Sequence, residues 1–238
     1  MKKLLLYLCL FFSMILNAQE WTVQYEFGYG SFELRDIKTI QDNIANVMSN
    51  YGAKSTEYFP SNYIQSAAIG CMLGRHHFGI NGAFLTTGGR VHVGDYSGKY
   101  AMDMVLSGYR LGAFYRHYMP NKIEWFDIYA QIAPGILFSN LKMDEELVIG
   151  SQKMAEEKLK FKSTGAYIEP SIGIRFKPLH WLNLSLSGGY EFDVWGKMKQ
   201  SDSNTQITYR GDDKIRWNGF RFYAGFMIVI PNLNATTK

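Results

Sequence analysis

Nine ionisable side chains stand where chemistry would need them: Glu26, Arg110, Arg116, Asp127, Glu169, Arg175, Glu191, Asp193 and Arg221. Each is isolated in a stretch where every second residue is apolar. In AYIEPSIGIRFKP, from Ala166 to Pro178, Glu169 and Arg175 fall on the polar face of such an alternation. Carboxylates and guanidinium groups placed this way can serve as acid–base partners, or can neutralise one another in a space that excludes water. A set of four arginines and five acids suits the second role, because buried charges need partners.

Other chemistry is weakly supported. A hydrolase needs a serine beside a histidine oriented by an acid. Ser185 and Ser187 follow His180, but the serines lie on one strand face and the histidine in a turn. His76 and His77 are adjacent, and neighbours on a strand face opposite ways, which makes a poor metal pair. His92 and His117 are scattered. GGRVHVGDYSGKY has the glycines and lysine of a phosphate loop at the wrong spacing. Asp144-Glu145-Glu146, Glu156-Glu157 and Asp212-Asp213 match no calcium loop and read as solvated loop faces. The spacing therefore predicts no catalytic residue, no cofactor and no metal.

The elements that position the nine charges are strands. Val23, Tyr25, Phe27 and Tyr29 alternate with Gln24, Glu26, Gly28 and Gly30; Phe126 to Phe138, Leu182 to Val194 and Phe220 to Ile230 repeat the pattern. Weaker versions at 63–74, 78–88 and 101–118 bring the count to eight strands. Their connections alternate in length. Arg75-His76-His77, Pro120-Asn121-Lys122 and Pro178-Leu179-His180 are short turns, whereas 31–62, 89–100, 140–163 and 197–214 read as long loops. An even strand number with short turns at one end and long loops at the other is the layout of an outer-membrane barrel.

Which face is buried follows from the polar positions. A solvated sheet face carries many Lys and Glu; here it carries Gly, Ser, Asn and Tyr with lone charges of both signs. Small residues suit the lumen of an eight-stranded barrel, whose interior is only just wide enough for its own side chains. The apolar face then meets lipid. Trp21, Trp125, Trp181, Trp195 and Trp217 lie near predicted strand ends, where an interfacial aromatic girdle belongs. Pro134 and Pro170 interrupt two strands of a barrel without an edge, which predicts bulges there.

The bulk numbers agree. MKKLLLYLCLFFSMILNAQ has a charged start, an apolar run and a small residue before the cut, so residues 1–18 are expected to be a signal peptide. Cleavage would leave 220 residues, Cys71 as the single cysteine and a net charge near +2. That excludes an internal disulfide and gives no electrostatic case for nucleic acid. Within the first long loop, Leu34, Ile37, Ile40, Ile44, Val47 and Met48 form one apolar stripe, predicting a helix over about 35–49 that packs over the barrel mouth or lies at the lipid headgroups.

The signal ending NAQ, the segment YEFGYGSFELRDIK and the final RFYAGFMIVI resemble the small outer-membrane β-barrel proteins of Bacteroidota, similar in architecture to the OmpA transmembrane domain. The last strand also resembles the assembly signal read by the barrel-insertion machinery, with Tyr223, Gly225, Ile228 and Ile230 at the matching places. The resemblance spans 19–231 and implies fold more than function. It leaves 232–238 as a short periplasmic tail, with no peptidoglycan-binding domain.

The sequence thus predicts an all-β, eight-stranded antiparallel up-and-down transmembrane barrel with both termini periplasmic. Its expected role is non-enzymatic: an envelope scaffold or surface interaction module. The expected partners are outer-membrane lipid and lipopolysaccharide, the barrel-assembly machinery, and an envelope or extracellular partner met through 31–62 and 140–163. A lipid-modifying outer-membrane enzyme, a narrow ion pore and a secreted lipocalin-like barrel are the alternatives.

Overall fold

The computed structural model describes residues 20–49, 54–94, 98–120, 122–149, 152–194, 196–200 and 214–231. The proposed signal peptide, the tail at 232–238 and Trp195 lie outside the described residues.

Eight strands close into a ring: β1 (Glu20–Gly30), β3 (Asn62–Leu73), β4 (His76–Gly94), β5 (Gly98–Tyr118), β6 (Phe126–Ile149), β7 (Gln152–Phe176), β8 (Leu182–Asp193) and β10 (Gly219–Pro231). Neighbours along the chain pair antiparallel, and β1 pairs with β10. Two short strands lie off the ring: β2 (Lys54–Tyr58) on β4, and β9 (Lys199–Gln200) on β7. One helix, α1 (Arg35–Val47), follows β1. A path of cross-strand partners from His76 runs through His117, Ala130, Ile172, Gly188, Phe222, Tyr29 and Tyr63, and returns to β4 just past Leu85. That stagger is the shear that strand tilt in a closed barrel requires.

The helix and the eight-strand ring agree with the sequence reading; two loops do not. Residues 89–100 and 140–163 are mainly strand. β4 runs to Gly94 and β5 starts at Gly98, while β6 runs to Ile149 and β7 starts at Gln152. The reason is a reversal of polarity along each strand. On β6 the outward residues Ile128, Ile132, Ile136 and Phe138 are apolar, and the next outward positions are Asn140, Lys142 and Asp144; inward, Asp127 and Gln131 give way to Leu137, Leu141 and Met143. β7 shows the same change, from outward Ile172 and Ile168 to Lys162, Lys160 and Lys158, with Phe161 buried inside. On β5, Met102, Met104 and Leu106 point inward while Asp103 and Lys99 point out. The period stays at two while the apolar set changes parity, so an alternation read by its apolar face ends too early.

The prolines produce no bulges. Ile132↔Pro170 and Pro134↔Ile168 keep one register across β6 and β7. The register is also unchanged on the far sides, where the ladder omits Ala133 and Pro134 toward β5 and Glu169 and Pro170 toward β8. Each ring directs its missing N–H away from the shared ladder, so the loss is confined to one side. The first short turn is also displaced: Leu73 pairs with His76 across Gly74-Arg75, Gly74 holds φ +60°, and both histidines belong to β4.

Candidate functional site at the barrel mouth

The lumen is built from the bottom up by charge pairs. Near the turns, Arg175 donates to Asp127 directly opposite on β6, at 2.9 Å from Nε and 2.5 Å from Nη2, and Lys177 reaches the same carboxylate at 3.2 Å. Buried His77 shares a 2.8 Å hydrogen bond with Thr22. Above them Arg116 donates to Gln131 at 2.8 Å, and Glu26 accepts from Gln24 at 2.5 Å. Higher still, Arg110 bridges Glu169, at 2.6 Å, and Glu191. Glu191 also meets Arg221 at 3.3 Å, and Tyr223 donates to Glu169 at 3.3 Å. Asp193 lies beside Glu191 at the end of this chain and accepts the Trp217 backbone N–H at 2.5 Å.

All nine charges therefore lie inside the ring, and Arg175 is partnered by an acid of the neighbouring strand, Asp127. Replacing Arg175 by Leu is expected to lower stability by about 1–3 kcal/mol, since one carboxylate loses a charged partner. Lys177 limits the loss. Urea unfolding followed by tryptophan fluorescence would measure it, and an unchanged midpoint would refute the pairing.

Aromatic rings complete these contacts, a feature the alternation did not reveal. Arg110 lies over Tyr167 at 4.7 Å, Arg116 over Tyr129 at 4.2 Å, Arg175 over Tyr118 at 3.7 Å and Arg221 over Phe32 at 5.0 Å. A planar guanidinium can stack on a ring while its edge donates to carboxylates, which a lysine cannot do.

Trp217 corrects the girdle assignment. It is fully buried, its indole donates to Ser139 at 2.9 Å, and its ring meets Phe32 edge-on at 5.0 Å. Proximity to a strand end did not reveal that its chain segment, 214–218, turns inward. Trp21, Trp125 and Trp181 are exposed on the outside. On the last strand Ile228 and Ile230 point outward, while Tyr223 and Gly225 point inward.

Above Arg110 the interior becomes apolar, and α1 caps it. Ile37 and Gln41 are buried, with Ile40 and Ile44 against the same core. Gln41 anchors the helix: its Nε2 donates to Ser55 Oγ, to the Glu57 carbonyl at 2.5 Å and to the Arg90 carbonyl at 3.3 Å. Gly89 allows that approach, because a Cβ there would stand 2.6 Å from Gln41 Oε1 and 2.7 Å from the Phe59 ring. Tyr58 donates to Asp42 at 2.7 Å, and this bond holds the phenol up at about 12. The helix thus packs over the mouth, the first of its two expected placements.

Between α1 and the inner faces of β5, β6 and β7 lies a cavity of about 470 Å³. Met48, Met102, Met143, Met198 and Phe161 line it, with Glu145 as its charged member. Burial raises the pKa of the Tyr100 hydroxyl to about 12, and the adjacent Glu145 carboxylate adds to the shift. Flexible thioethers over an apolar floor accommodate varied apolar shapes. Among the described residues no cluster of His, Cys, Asp or Glu could hold a metal ion.

No known protein-family profile matches the chain, and no curated protein matches it in sequence. Similar solved structures include Ail, the attachment invasion locus protein of Yersinia pestis (10% identity, 90% of this chain and 99% of that one, TM-score 0.38). Neisserial surface protein A gives 9% identity over 89% of this chain and 97% of that one, with TM-score 0.41. CarO of Acinetobacter baumannii gives 13%, 90% and 98%, with TM-score 0.33.

Proposed function

We propose that the chain is an integral outer-membrane barrel, closed to solutes, that carries a rigid surface module built from α1 and the hairpins β4–β5 and β6–β7. The observation that supports this is the reversal of polarity along continuous strands. An apolar exterior around a charged interior suits lipid, and a charged exterior around an apolar interior suits water, so one sheet passes from one solvent to the other. Its boundary on β6 falls between Phe138 and Lys142.

The paired arginines and stacked rings fill the lower lumen, and α1 covers the upper one, so neither half favours an ion pore. A lipocalin-like reading would need an apolar interior beneath an exposed polar wall throughout, whereas Ile80, Leu111, Ile132 and Ile172 are exposed outside the lower half. The role we assign is non-enzymatic, with the methionine-lined mouth and hairpin walls as contact surfaces for an extracellular partner. Periplasmic termini, recognition by the insertion machinery and kinship with the small barrels of Bacteroidota belong to this reading.

Fractionation of expressing cells, followed by gel migration with and without boiling, tests it. Outer-membrane location with a heat-dependent mobility shift is the expected result. A soluble protein with no shift would overturn it.

A further inference from the structure

The geometry points to a binding site for a phosphorylated lipid headgroup on the outer wall of the barrel, formed by Lys142, Lys160, Lys162 and Lys199. This rests on the membrane reading above and names the lipid contact within it. Lys142 on β6 lies directly opposite Lys160 on β7, and Lys162 lies directly opposite Lys199 on β9. All four are exposed. Like charges placed opposite one another across a ladder destabilise it, so two such pairs side by side need a reason.

Compensation is the rule elsewhere on this wall. Arg90 Nη2 donates to Asp103 at 2.9 Å, Lys99 meets Glu146 at 3.7 Å, and Lys158 meets Glu156 at 2.9 Å. The four lysines form no ion pair among the described residues. Their cross-strand surroundings supply two acids: Asp144, which lies opposite Lys158, and Asp103, which is already held by Arg90. The residue opposite Lys162 on its other side is neutral Asn140.

Position identifies the occupant. Below the lysines, past Asn140 and Thr164, the outward residues are Phe138, Ile136, Ala166 and Ile168. The wall therefore presents ammonium groups one polar row above hydrocarbon, within reach of a lysine stem. A free anion would use only the charges and a neutral lipid only the belt, whereas a lipid with phosphate on its headgroup uses both. Lysine stems lie along apolar surface while their tips reach the phosphate oxygens.

The test uses the full mature chain folded in amine-oxide micelles and titrated separately with bisphosphorylated lipid A, its dephosphorylated form and inorganic phosphate. Native mass spectrometry reads occupancy, and the heat-dependent gel shift reads folding. The wild type should retain the phosphorylated lipid roughly tenfold more tightly than the dephosphorylated one, and added salt should weaken the preference. K142Q/K160Q/K162Q/K199Q should lose the preference and keep the gel shift, while the corresponding arginine variant should keep both. If the fourfold variant does not fold, K142Q/K160Q and K162Q/K199Q provide the same comparison. Equal retention of both lipids by the wild type, or an undiminished preference in the folded glutamine variants, would overturn the site. Binding of inorganic phosphate without preference for the phosphorylated lipid would assign the patch to a free anion and overturn the lipid. A wild type without the heat shift would instead defeat the membrane reading itself.

Discussion

Arg110→Met is expected to reduce barrel stability by about 3–5 kcal/mol, the usual cost of removing one member of a buried ion cluster. Arg110 is almost fully buried, as are Glu169 and Glu191, the two carboxylates it joins. Without it Glu191 keeps Arg221 at 3.3 Å, and among the described residues Glu169 keeps the Tyr223 hydroxyl at 3.3 Å. The excess negative charge must then be protonated or hydrated inside a lumen too narrow for much water. Denaturant unfolding from lipid vesicles measures the loss. Adding Glu169→Gln should recover part of it, because the stranded charge is removed with its partner. Arg110→Lys should fall between the two: it keeps the charge but loses the fork that spans two acids and the stack on Tyr167. A single variant as stable as the wild type would show that the cluster contributes little.

The second large effect is a contrast between two positions on one strand. Ile132 and Asn140 both face outward on β6, below and above the polarity reversal. Ile132→Lys should cost about 2–4 kcal/mol in lipid, the penalty of a lysine near the bilayer midplane. Asn140→Lys should cost less, at most about 1 kcal/mol, from the like charge it places directly opposite Lys162. Leu141→Lys, one residue further and fully buried in the interior, should again be severe, because it places an unpaired charge in an apolar core. Equal costs at Ile132 and Asn140 would mean that the outer wall meets a single solvent.

Much of the ring was legible because strand period and polarity coincide in its lower half. Glu26, Glu169 and Arg175 announced their inward direction by being alone among apolar alternates. What escaped notice had physical causes. Leu141, Met143 and Phe161 continue the same strands with the apolar set on the other parity, and Lys142 and Lys160 occupy the positions that had pointed to lipid. A reading that follows apolar residues stops there; one that follows period alone would have continued to Ile149. Trp217 escaped because residue type cannot distinguish a ring at the membrane interface from one folded over the lumen. The partner of Arg175 required register, which sets Asp127 opposite it. The methionine-lined cavity depends on where α1 lands, and its apolar stripe allowed two placements.

The hairpin β6–β7 extends about 30 Å along its strands beyond Asn140, at roughly 3.3 Å per residue, with Ile149 paired to Gln152 at its end. Backbone hydrogen bonds run from that end down into the ring, interrupted by a single register shift at Leu147/Val148. A flexible loop of the same composition would absorb a pull at its tip by changing shape. This spar acts as a lever: a load applied at its far end arrives at the barrel rim as a bending moment, close to where Arg110, Glu169 and Glu191 are clamped together.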